Sequence, residues 1–154
     1  MLITAHGLVG AFVGREVGYP PLAFLLGLVS HFLLDAIPHC DGPDDVLGRN
    51  ENASNSVAQY IIVIVDILFA VAILFYFINN NLSTTGLIWG VVGAELPDIV
   101  DNMPFWSRRI RRVLLFKQFH NFHAKIQSIK TPLWIGLTTQ YLIAAIFLWL
   151  IFQI

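Results

Sequence analysis

The sequence predicts an all-α integral membrane protein: about five hydrophobic helices in one bundle, with a basic amphipathic helix at its interface. Three observations lead there. Hydrophobic residues make up 56% of the 154 positions and charged residues only 12%, where a soluble domain has about a quarter. The mean hydropathy is +0.70. The apolar residues also run in long uninterrupted stretches, while the charges gather between them. The length suits a single membrane domain over residues 1–154. A lone cysteine, Cys40, excludes an internal disulfide. The stretch Met1–His6 has no basic region ahead of an apolar one, so it does not read as a cleaved signal peptide.

Five helices are expected, near residues 2–17, 21–37, 57–78, 82–103 and 133–154. The first is short, contains Gly7, Gly10 and Gly14, and ends at Arg15-Glu16. The turn Gly18-Tyr19-Pro20 links it to the second, so the two form a helical hairpin. The third is interrupted only by Asp66, the fourth is glycine-rich and turns acidic at its C-terminal end, and the fifth carries no charge. A helix rises about 1.5 Å per residue, so roughly 20 apolar residues cross the hydrocarbon core. The last three meet that length, the second nearly does, and the first is a short, tilted or re-entrant segment.

The connections differ in charge. Residues 39–56 are polar and acidic, with Asp41, Asp44, Asp45 and Glu51 against Arg49. Residues 105–131 hold Arg108, Arg109, Arg111, Arg112, Lys117, Lys125 and Lys130 and no acidic residue. The positive-inside rule puts this segment in the cytoplasm, and counting back puts the N-terminus and the 39–56 loop there too. Within it Leu115, Phe119, Phe122, Ile126 and Ile129 recur at spacings of four and three, an apolar stripe along a helix. That pattern fits a helix resting on the cytoplasmic leaflet, its basic residues meeting anionic headgroups. It fits equally a helix packed on the bundle whose charges only set topology.

Ionisable residues in membrane spans are costly and need a reason. His31, Asp35 and His39 are spaced by four and share a face if the helix runs to Pro38. Glu95, Asp98 and Asp101 are spaced by three, as are His120 and His123. Such spacings let two side chains of one helix reach the same ion. His6, His31, Asp35, His39, Asp98, Asp101, His120 and His123 are therefore the expected metal ligands, with Asp98 or Glu95 as base. The expected topology puts them all at the inner headgroup level, although the charge count used no histidine. Imidazole and carboxylate together suit a divalent cation, zinc or manganese first and iron after them, and several carboxylates allow two ions. Plainer readings exist: His6 as an interfacial histidine, His39 and Asp41 as loop residues, Glu95 as a supporting group, Cys40 as a bystander. Asp66 reads as a proton relay or helix-pairing residue apart from the cluster.

Gly27–Asp35 aligns without gaps with Gly90–Asp98, matching the glycines, Val29 with Val92, and the two aspartates. That suggests two related hairpins, each bringing one aspartate to a shared interface. The motifs Ser30-His31-x3-Asp35, Leu96-Pro97-Asp98-x2-Asp101 and His120-x2-His123, with the early His6, resemble those of bacterial inner-membrane proteins predicted to be metal-dependent hydrolases. The resemblance implies a helical membrane domain, a divalent metal and a hydrolytic role. Three features depart from the family pattern: the Ser-His element comes before the Leu-Pro-Asp element, Asp98-x2-Asp101 is one residue longer than Asp-x-Asp, and the His120–His123 pair lacks the Arg-Gly between its histidines.

The leading expectation is thus a membrane-embedded hydrolase acting on a lipid-linked or phosphate ester at the cytoplasmic face. The alternative is a non-enzymatic protein that binds, senses or transports a metal ion or proton. A third reading makes the histidines helix-pairing groups. Nucleic acid is not an expected partner, because the basic run is short and interfacial.

Overall fold

The computed structural model describes residues 1–42, 57–82, 84–103, 105–129 and 131–153. The acidic stretch 43–56, including Asp44, Asp45, Glu51 and Arg49, and Lys130 lie outside the described residues. Among those described there are seven helices and no strand. They are α1 (Ile3–Val17), α2 (Pro20–Asp35), α3 (Val57–Asn79), α4 (Thr85–Asn102), α5 (Ser107–Ile110), α6 (Leu114–Ile126) and α7 (Leu133–Gln153).

Local chemistry sets the helix ends. Gly18 takes φ 67° and its N–H donates to the Gly14 carbonyl, closing α1 with a residue free to enter the left-handed region. Two prolines then open α2, at positions whose N–H groups have no helical acceptor. α2 stops at Asp35, short of Pro38, which disfavours helical geometry in the residue before it. His39 therefore does not extend the His31–Asp35 face, contrary to expectation, and reaches the same region from a loop. Thr84 caps α4 by accepting the Leu87 N–H at 3.1 Å.

The start of α1 is capped by other helices. Leu2 N–H donates to the Gln140 side chain of α7, and Thr4 N–H faces the Asp66 carboxylate of α3 at 3.3 and 3.4 Å. Thr4 Oγ1 also donates to the Asp66 carbonyl at 3.2 Å. Asp66 is thus a helix-pairing residue beside the first turn of α1, not a group apart from the cluster. The sequence reading has helix pairing among its two roles for Asp66 but sets it apart because it aligns helix ends, whereas α1 begins level with the middle of α3.

α1, α2 and α4 meet backbone to backbone. A Cβ added at Gly90 would run into the Gly10 carbonyl oxygen, and one at Gly27 into the Gly90 carbonyl oxygen. Such approach is the small-residue mode of helix association in apolar surroundings. Gly27 and Gly90, matched in the internal alignment, therefore touch. α7 closes on α1, where Arg15 donates to the Ile151 carbonyl at 2.8 Å. Leu8, Ala11, Phe77, Leu87, Ala144 and Ile151 form the larger buried cluster.

Of the five expected spanning helices, two are long and apolar enough to cross a membrane: α3, with 23 residues, and α7, with 21. The other three fall short for identifiable reasons. α1 and α2 have 15 and 16 residues, about 22–24 Å of helix against a core of about 30 Å. α4 has 18 residues but ends in Glu95, Asp98 and Asp101. α6 is shorter than the stripe it was read from, ending at Ile126, so Ile129 lies beyond it.

Candidate metal centre

Asp35 is the hub. Its side chain is fully buried, and its two oxygens face different partners. Oδ2 lies 2.9 Å from His123 Nε2, 3.1 Å from His31 Nε2 and 2.7 Å from the Gln127 Nε2 that donates to it. Oδ1 lies 2.7 Å from the Met1 amino group, 3.2 Å from His6 Nε2 and 3.7 Å from His39 Nε2. Asp41 flanks this second side, its Oδ2 3.5 Å from His39 Nε2.

Three of the histidines are oriented alike. His31 Nδ1–H donates to the Ala94 carbonyl of α4 at 2.7 Å. His39 Nδ1–H donates to the Ile37 carbonyl at 2.7 Å. His123 Nδ1–H donates to Asp101 Oδ2 at 3.2 Å. In each case the bond made by Nδ1 leaves Nε2 pointing toward Asp35. Metal-binding histidines are fixed in this way by carbonyl or carboxylate partners.

Donor spacing is also suitable. His31 Nε2, His123 Nε2 and Asp35 Oδ2 are separated by 2.9–3.1 Å. Ligands at about 2.0–2.1 Å around a tetrahedral ion stand roughly 3.3 Å apart, so these three atoms nearly form one face of that tetrahedron. A second grouping joins His6, His31 and Asp98, with ligand atoms within 4.8 Å of one another. Asp98 is partly open: Oδ1 accepts from Asn102 at 2.7 Å and lies 3.7 Å from His123 Nε2, and Oδ2 is 4.0 Å from His6 Nε2.

Buried atoms without hydrogen-bond partners fall at the same place. Both ring nitrogens of His6, Nε2 of His39 and Oε1 of Glu95 are buried and unsatisfied. The 3.2 Å approach of His6 Nε2 to Asp35 is a close pairing without hydrogen-bond direction. His6 stacks on His31, ring centroids 4.1 Å apart. Buried polar groups are nearly always paired, so this concentration of orphans beside a carboxylate hub fits a cation-binding pocket.

Asp101 and His120 sit behind the hub. Asp101 accepts from His120 Nδ1 at 2.9 Å and from His123, and Arg111 donates from Nε to its carboxylate at 3.1 Å and from Nη2 to the Asp101 backbone carbonyl at 2.6 Å. These two residues, expected as ligands, are placed where they orient His123. The arginine that pairs with Asp101 is Arg111. Burial acts to lower the His123 pKa, but its bonds to Asp101 and Asp35 outweigh that and raise it to about 9.

α6 brings His123 in with its histidine edge. Phe32 of α2 packs edge-on against Phe119, Phe122 and His123, which seats the helix. The apolar stripe itself is largely uncovered: Leu115, Phe122 and Ile129 are exposed. Sequence reasoning missed Gln127 and the Met1 amino group. Gln127 stands four residues after His123, on the same helical face, which was an available signal. Cys40 is buried, donating to the Gly42 carbonyl at 3.2 Å. Compared with family models, curated proteins and solved structures, the chain finds no match in any of the three.

Proposed function

We propose that this protein is a membrane-embedded, metal-dependent hydrolase that acts on a lipid-linked or phosphate ester. The carrying observation is the convergence on Asp35 of three Nε2 atoms, each aimed by a bonded Nδ1. His31, His123 and Asp35 would hold one divalent cation, zinc or manganese, with Asp98 beside them. His6 and His39 face the other oxygen of Asp35, where a second cation would find its donors. Such cations polarise an ester or phosphoryl oxygen and lower the pKa of bound water. Asp98, partly open and adjacent to the donors, is placed to take a proton from an attacking water, with Glu95 as the more enclosed alternative.

Membrane embedding is supported by the exposed surface of the long helices, which includes Leu68, Phe69, Val71 and Phe75 on α3 and Trp134, Leu142 and Trp149 on α7. A soluble protein rarely exposes so continuous an apolar surface. We place the protein in the bacterial inner membrane with the basic segment on the cytoplasmic side, where α6 lays Leu115 and Phe122 on the leaflet and its basic residues meet anionic headgroups. A cysteine at the exposed position Ser128 should react with impermeant reagents only after the inner face is opened. Labelling from outside intact cells would reverse this placement.

The central test is metal analysis of detergent-purified protein combined with an ester screen. About one or two equivalents of a transition metal are expected, with a lowered melting temperature after chelation and metal-dependent release of phosphate or acid from lipid esters. Asp35→Asn should remove both metal and activity. Protein that is metal-free as isolated, and indifferent to zinc, manganese and chelator, would overturn the proposal.

A further inference from the structure

A cleft of about 170 Å³ opens between α1, α3 and α4. Its walls are apolar, formed by Leu8, Ala11, Leu74, Phe77 and Val91, and Glu95 stands at one end. Gly7 makes room for that carboxylate: a Cβ there would lie 3.1 Å from Glu95 Oε1. This oxygen is buried without a hydrogen-bond partner. Val71 lines the cleft and is also 58% exposed, so the opening continues onto the outer apolar face of α3.

The cleft runs away from the metal centre. Thr4 and Glu95 mark the end near His6 and Asp98, while Ala11 and Phe77 lie about two turns further along α1 and α3. Thr4 pairs with Asp66, nine residues into α3, so the polar end sits roughly 13 Å from the start of that helix. An apolar cavity of about 150 Å³ stays dry and takes up a hydrocarbon of benzene size. A gap of this size between three helices is too narrow for a fourth helix, about 10 Å across, and suits a flexible alkyl segment.

We propose that this cleft holds part of the hydrocarbon chain of the substrate lipid, entering sideways from the bilayer past Val71, with the chain's polar end at Glu95. The inference rests on the hydrolase reading for the word substrate, and names the class: an amphiphile with one long chain next to the ester. The cleft then orients the ester toward Asp98 and the donors around Asp35, and makes chain shape a determinant of specificity.

Photo-crosslinking tests it independently of turnover. Purified protein in vesicles containing a phosphatidic acid with a mid-chain diazirine is irradiated, and labelled residues are mapped by mass spectrometry. Labelling should be enriched at Leu8, Leu74 and Phe77 above that at Leu68 and Phe69, which face outward on α3. Ala70→Trp, from the α3 wall, should reduce cleft labelling at least fivefold and leave the outward positions unchanged. Val91→Trp does the same from the α4 wall and guards against misfolding of the first variant, with metal content and monodispersity as the folding readout. Labelling equal on both faces, or unaffected by either tryptophan in folded protein, overturns the proposal. Failure of the hydrolase reading shows separately, as absence of metal or activity with cleft labelling intact.

Discussion

The three short helices and the two long ones solve the same burial problem in opposite ways. α1, α2 and α4 carry the ionisable residues and meet through glycines at backbone distance. α3 and α7 carry bulky apolar side chains on nearly every face and leave most of them uncovered. The difference is energetic. Where the surroundings are as apolar as leucine, burying leucine adds little, and close packing plus polar pairing must hold helices together. The glycine-packed trio gathers His6, His31, Asp35 and Asp98, and α6 adds His123 to Asp35 from outside it. The long pair meets the α1 segment through a few polar contacts, Asp66 on α3 and Gln140 and the Ile151 carbonyl on α7, and otherwise presents a hydrophobic exterior.

Substitutions in the two regions should therefore differ sharply. Gly90→Leu forces a side chain into the carbonyl of Gly10 and the backbone of Gly14, and the helices must separate. The expected cost is more than about 4 kcal/mol, seen as loss of monodisperse protein. The same size of change on the exposed face of α3, Leu68→Ala, should shift stability by no more than about 0.5 kcal/mol. Equal effects would show that the short helices are not held by backbone contact.

Part of this contrast was already legible. The glycines of the first and fourth segments, the pattern His31-x3-Asp35 and the acidic end of α4 all stood out by spacing alone. The number of spans did not: residues 82–103 have the length of a span, but the helix begins only at Thr85 and carries Glu95, Asp98 and Asp101 in its C-terminal half. The roles within the ligand list were not legible either: spacing put Asp101 and His120 on shared faces with Asp98 and His123 but gave no information about the bond from His123 Nδ1 to Asp101.

That division sets the second test. Asp101→Asn keeps the shape but weakens the hold on His123 and Arg111, and should lower metal affinity about 10–100-fold, measured by competition with a chromophoric chelator. His120→Gln should change it far less, because the His120 imidazole bonds the Asp101 carboxylate, not Asp35. A complete loss of metal in His120→Gln would make it a ligand after all.

The smallest effect is expected where a long helix touches a short one. Asp66→Ala leaves the Thr4 N–H of α1 without its acceptor, at a cost of about 1 kcal/mol, visible as a lower melting temperature with metal content unchanged. Loss of metal in that variant would give Asp66 a role at the centre rather than in joining α1 to α3.

By itself, the sequence determined the helical class, the apolar exterior, the basic segment and the list of residues from which a site could be built. These follow from composition and from periods of three and four, which are properties of a single helix. Tertiary structure alone decided which helix ends lie level with which, that α1 begins beside the middle of α3, and which oxygen of Asp35 each histidine faces. Those facts depend on the approach of backbones at Gly10, Gly27 and Gly90 and on bonds such as His31 to the Ala94 carbonyl. They are relations between helices, and no pattern within one helix carries them.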